Sequence, residues 1–105
     1  MLFRSHIEVT LPLRGWVVDG KRLTGELSGT SIRLGERSLV ARLDVALPLL
    51  TNVKLRLRYR APGQESGDLY GKVVGVSSES GGPTIIRLTS VDPADQKQIE
   101  MLLAR

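Results

Sequence analysis

Between Asn52 and Arg60 every second side chain is apolar: Val53, Leu55, Leu57 and Tyr59 alternate with Lys54, Arg56, Arg58 and Arg60. A period of two is the signature of an extended strand that turns one face to a core and the other to water. Here the outward face is wholly cationic. The same alternation recurs along most of the chain. Ile7, Val9, Leu11 and Leu13 point one way, while Glu8, Thr10 and Pro12 point the other. Gly15 reads as a break, after which Trp16-Val17-Val18 resumes an extended run. Asp19-Gly20 is the strongest short hairpin signal present, and a return strand is expected from about Lys21 to Leu27. Ser28-Gly29-Thr30 reads as an interruption. A short strand over Ser31 to Leu34 then places Ile32 and Leu34 inward and Arg33 outward, and Gly35-Glu36-Arg37 turns the chain.

From Leu39 to Leu50 no single phase holds, so a short strand and a loop are expected there. Pro62 to Asp68 is a polar loop, Leu69 to Val76 a strand, Ser77 to Pro83 a Ser/Gly-rich turn and Thr84 to Leu88 a last strand. The period then changes. Asp92 is placed to cap a helix, Pro93 suits its first turn, and Asp95 sits where negative charge meets the positive helix end. Ile99, Leu102 and Leu103 share one face, with Gln96 and Lys97 directed to solvent. Short strands followed by one amphipathic helix make a small barrel whose open end the helix covers.

A chain of 105 residues has room for one modest core, so residues 1–105 are read as a single domain. Its 41% hydrophobic and 25% charged content is that of a globular protein. The longest apolar runs, such as Val45 to Leu50, fall far short of the ~20 residues that span a bilayer, so no membrane insertion is expected. Met1 to His6 lacks the charged, apolar, small order of a secretory leader, and there is no cysteine. A cytoplasmic location is the expectation.

The residues carry little that points to catalysis. The sole histidine, His6, has no partner at ligand spacing, so no metal site is expected. Ser28 lies beside Gly29 but lacks the glycine two residues before it that a nucleophile elbow requires. The carboxylates are spread over separate loops, and neither phosphate-binding glycine fingerprint occurs. No enzyme, catalytic residue or cofactor is expected. The formal charge of +4, with eleven of fifteen cations arginine, favours an anionic or nucleotide-like partner, since the guanidinium fork grips phosphate and stacks on bases. Single-stranded nucleic acid would need exposed aromatics beside the basic strand. The aromatics are Phe3, Trp16, Tyr59 and Tyr70, and Tyr59 shares the buried face, so nucleic acid is placed behind other partners.

The segment Glu26-Leu27-Ser28-Gly29-Thr30-Ser31-Ile32-Arg33-Leu34 resembles the second signature of the PilZ family: Asp or Asn, any residue, Ser, two more, then Gly opening an apolar strand. The later strands, with the Lys72-Val73-Val74 core and the closing Asp92-Pro93 helix, are similar to that family over roughly residues 6–105. The resemblance implies a six-stranded antiparallel β-barrel with one C-terminal helix. It also implies a bacterial receptor for cyclic di-GMP, whose N-terminal arm holds the phosphates through arginines in an RxxxR arrangement. Here those two positions fall at Leu2 and His6, and only Arg4 between them offers a guanidinium. Glu26 replaces the Asp or Asn, Ser28 is retained, and Ser31 stands at the glycine.

Two arginine forks fewer means fewer charge-assisted phosphate contacts. The expected function is therefore a non-enzymatic regulatory module with weak or absent nucleotide binding. Its partner would be a protein of a signalling, motility, secretion or exopolysaccharide system, met through Lys54, Arg56, Arg58 and Arg60. The alternative is a working cyclic di-GMP receptor with contacts at Arg4, His6, Glu26, Ser28, Ser31 and Arg33. A weak nucleic-acid-binding barrel comes third.

Overall fold

The computed structural model describes residues 5–59, 64–76 and 82–104, where the alternation becomes seven strands and one helix. The strands are β1 (His6–Glu8), β2 (Pro12–Asp19), β3 (Arg22–Gly35), β4 (Ser38–Leu43), β5 (Asn52–Leu57), β6 (Leu69–Val76) and β7 (Thr84–Ser90); the helix α1 spans Pro93–Leu103. Every pairing is antiparallel. Neighbours run β3-β2-β5-β6-β7-β4, and β4 pairs back onto β3, so six strands close into a barrel. β1 is an extra strand on β3. It takes residues 33–35 of β3, while β2 takes residues 22–30, so the two occupy successive stretches of one edge.

Closure leaves the inward phase of each strand no route to water. Val53, Leu55 and Leu57 of β5, Leu69 and Val73 of β6 and Ile86 of β7 are fully buried. Each such side chain contributes about 1.5–3 kcal/mol relative to exposure. α1 packs on β1 and β3 and adds Ile99 and Leu103 to that core. Its start is built as the residues prescribe: Asp92 accepts from the Asp95 amide at 2.9 Å, satisfying one of the free N–H groups of the first turn. The Asp95 side chain does more than meet a helix end, however, because it is buried and bonded to the barrel.

Three local expectations are corrected. Gly15 does not break a strand but lies inside β2, where a Cβ would overlap the Lys54 carbonyl oxygen and the Leu55 side chain of β5; it permits close strand approach. The break comes earlier, between Glu8 and Pro12. Ser28-Gly29-Thr30 is no interruption either. β3 runs through it for 14 residues, and a Cβ on Gly29 would overlap the Arg42 carbonyl of β4. Finally, the pairing of β3 with β4 shifts register between Ser31 and Arg33, so Ser31 is buried and Ile32 only half-buried. A bulge at that point reverses the inward phase. The hairpin between β2 and β3 closes over Gly20 and Lys21, with Gly20 at φ 64° and Asp19 paired to Arg22.

Candidate functional site

The segment Glu26 to Arg33 lies along β3, and the fold distributes its side chains rather than gathering them. Ser28 faces outward, and Asp44 holds it: the Ser28 amide donates to Oδ1 at 2.9 Å and its hydroxyl to Oδ2 at 3.3 Å. Ser31 faces inward at the kink between β1 and β2. Its Oγ accepts from the Leu11 amide at 2.8 Å and donates to the Val9 carbonyl. Arg33 pairs across the strands with Glu8, at 3.7 Å between Nη2 and Oε1. His6, opposite Gly35, is exposed with its Nδ1 3.2 Å from the Ser5 hydroxyl. Ser28 and Arg33 are five residues apart on one strand, about 17 Å at the usual rise. Arg4 lies outside the described residues. A cleft of about 480 Å³ opens over the kink, lined by Glu8, Val9, Thr10, Thr30, Ser31, Ile32 and Arg42.

The second surface is the outward face of β5. Lys54 and Arg56 flank Asp68, which arrives from the preceding loop of β6: Arg56 Nε lies 2.9 Å from Oδ1 and Lys54 Nζ 3.4 Å from Oδ2. The Arg56 hydrogen bond, with the Lys54 charge behind it, lowers the Asp68 carboxyl below its usual range. Arg58 follows β5 and pairs as an isolated bridge with Glu65. Glu65 itself takes a two-point contact from Arg14 of β2, at 3.2 Å to Nε and 3.1 Å to Nη2, and that hydrogen bond lowers its carboxyl. Arg60 lies outside the described residues. The face read as wholly cationic is thus interleaved with two acids that the loop delivers.

Trp16 joins the two surfaces. It sits opposite Glu26 on one side and Lys54 on the other. Arg14, Lys54 and Arg56 all approach its ring, at 5.7, 5.5 and 5.4 Å from the centroid. Cations over an indole face are attracted by its quadrupole. Tyr70, opposite Lys54 on β6, is 39% exposed. Aromatics therefore do stand beside the basic strand, contrary to the expectation. The signal was available: Trp16 keeps the outward phase of Pro12 and Arg14, and reading Gly15 as a break concealed it. Among the described residues no three acidic or imidazole side chains gather where they could hold a metal ion. Nor is any described helix long and apolar enough to cross a membrane.

No protein-family model matches this chain, and no curated protein matches it either. Among solved structures, the crystal structure of the PilZ domain of CeSA from a cellulose-synthesizing bacterium superposes with a TM-score of 0.65. The match covers 93% of each chain at 18% sequence identity. The closed six-stranded barrel with an added strand and a C-terminal helix is the PilZ-type fold.

Proposed function

We propose that this chain is a divergent PilZ-like regulatory module of bacterial cyclic di-GMP signalling. It works without catalysis in the cytoplasm, through contact with a protein of a motility, secretion or exopolysaccharide system, and it binds the dinucleotide weakly or not at all. One observation carries the reading: Ser28, Ser31 and Arg33 of the signature segment are engaged within the fold. Asp44 takes Ser28, the β1–β2 kink takes both roles of the Ser31 hydroxyl, and Glu8 takes Arg33. A ligand would have to displace these partners, and each displaced charge-assisted contact subtracts from its affinity. Lys54, Arg56 and Arg58, with Arg60 beyond them, supply the partner-facing cations.

Calorimetric titration with cyclic di-GMP tests this. A flat trace at about 1 mM places any binding weaker than about −4.1 kcal/mol. Saturable heat that disappears in Arg4→Ala or Ser28→Ala establishes the receptor instead, with Arg4, His6, Glu26, Ser28, Ser31 and Arg33 as its contacts. A second reading, single-stranded nucleic acid, is favoured by Trp16 and Tyr70 beside the basic strand. It requires oligonucleotide retention that falls steeply with salt and is lost in Trp16→Ala.

A further inference from the structure

On the far side of the barrel from β2, the outward face of β6 and β7 forms a groove of about 600 Å³. Lys72 and Arg87 face each other across its floor. Arg37, in the turn after β3, borders it, and the backbone there is tied to β7 by the Leu88 amide donating to the Arg37 carbonyl at 2.8 Å. Like charges placed directly opposite on a sheet destabilise it. Among the described residues no acid forms an ion pair with any of these three cations.

The other border is apolar. Leu50 is 68% exposed and adopts φ 70°, the one left-handed residue other than glycine among those described. A leucine in that region carries roughly 1–2 kcal/mol of strain. Its backbone is fixed there by donation to the Val73 carbonyl at 2.7 Å. Beside it Val74 stands out at a bulge in β6, and Ile85 of β7 continues the apolar strip; both are more than 40% exposed. A strained backbone that holds a leucine in water, next to three cations that no described acid pairs, contributes nothing to the core.

We propose that this groove docks an acidic peptide segment of a partner protein, carboxylates over Lys72, Arg87 and Arg37 and an apolar side chain against Leu50 and Val74. A flat anionic bilayer does not suit it, because Lys72 is half-buried on the floor of a concavity rather than on a rim. Nucleic acid does not suit it either, because its lining contains no aromatic ring. This docking face is separate from the β5 surface and stands whether or not cyclic di-GMP binds.

The probe is a fluorescein-labelled dodecapeptide of Glu and Asp carrying two leucines, followed by anisotropy at low salt. Saturable binding is expected, weakened at least tenfold in K72E/R87E and unchanged in the charge-matched K21E/K97E. Leu50→Asn should weaken binding several-fold while raising Tm, since asparagine tolerates the left-handed region; a merely structural leucine would not separate the two readouts in this way. The proposal is overturned by an absence of binding or by equal affinities of K72E/R87E and K21E/K97E. It is overturned equally if a peptide with serines for leucines binds as well, or if anionic phosphatidylglycerol vesicles, and not the peptide, depend on Lys72 and Arg87.

Discussion

Removing the hydroxyl of Ser31 should cost this domain more than any other single-atom deletion on β3. Ser31 is 2% exposed and Leu11 1%. Where the chain leaves β1 and enters β2, the Leu11 amide has the Ser31 Oγ as its acceptor at 2.8 Å, and the Val9 carbonyl receives the serine proton. In Ser31→Ala the Leu11 N–H stays buried without an acceptor, at about 1–3 kcal/mol. The lost donation to Val9 adds about 0.5–1.5 kcal/mol. The total is about 2–4 kcal/mol, and at roughly 4–8 °C per kcal/mol for a domain of this size the melting point should fall by about 8–32 °C. Ser31→Gly, which restores the residue of the PilZ signature, should fall at least as far, because glycine also widens the unfolded ensemble. Thermal unfolding followed by circular dichroism measures both. A loss under about 3 °C in Ser31→Ala would show that backbone pairing alone holds the kink, and the reasoning would fail.

The close strand approaches make Gly15→Ala and Gly29→Ala severe: each Cβ meets a carbonyl of the neighbouring strand, so both variants should lose soluble expression or cooperative melting, while Gly20→Asn, in an open turn, should not. Desolvation, then repulsion from Asp92, holds the Asp95 carboxyl above its usual range, opposed by hydrogen bonds from Tyr59 and Gly67. Because the folded state then keeps its proton to higher pH than the unfolded chain, stability from this group is complete below about pH 3.9 and declines as pH rises through the folded value. Asp95→Asn should flatten that slope in melts between pH 3 and 6. Tyr59 is itself raised by burial and by Asp95, so stability should also fall once pH passes about 10, and not in Tyr59→Phe. Asp68→Asn frees Lys54 and Arg56, which should change stability by at most about 1 kcal/mol yet increase retention on a polyanion column.

The parts of the fold that local pattern encodes were legible: the inward phase of Ile7 to Leu13 and of β5, the hairpin at Gly20 and the Asp92 cap. What the sequence concealed depends on neighbours far along the chain. Gly15 and Gly29 look like turn signals, yet here they mark where β5 and β4 come closest, and no local pattern names those strands. Ser31 follows a turn-like tripeptide in the sequence and reads there as the plain start of a short strand, yet in the barrel it forms a buried bridge, because its partner Leu11 lies twenty residues away. The basic strand was readable from Lys54 and Arg56, but Asp68 and Glu65, which temper its charge, arrive from a loop whose polarity says nothing of where it folds back. Asp95 had a sufficient local reading as a helix-end charge; only the barrel shows Tyr59 and Gly67 reaching it.

Because β4 returns to β3, the open strand edges among the described residues are short: that of β1, three residues long and carrying Glu8, and the stretch of β3 from Arg22 to Leu27, which has β2 alone beside it and carries Arg22 and Glu26. A growing intermolecular sheet seeds on open amides and carbonyls, and charged side chains along such short runs discourage it. Crowded to millimolar concentration, the folded domain should therefore resist fibre formation, and any aggregates should arise from molecules whose ring has opened.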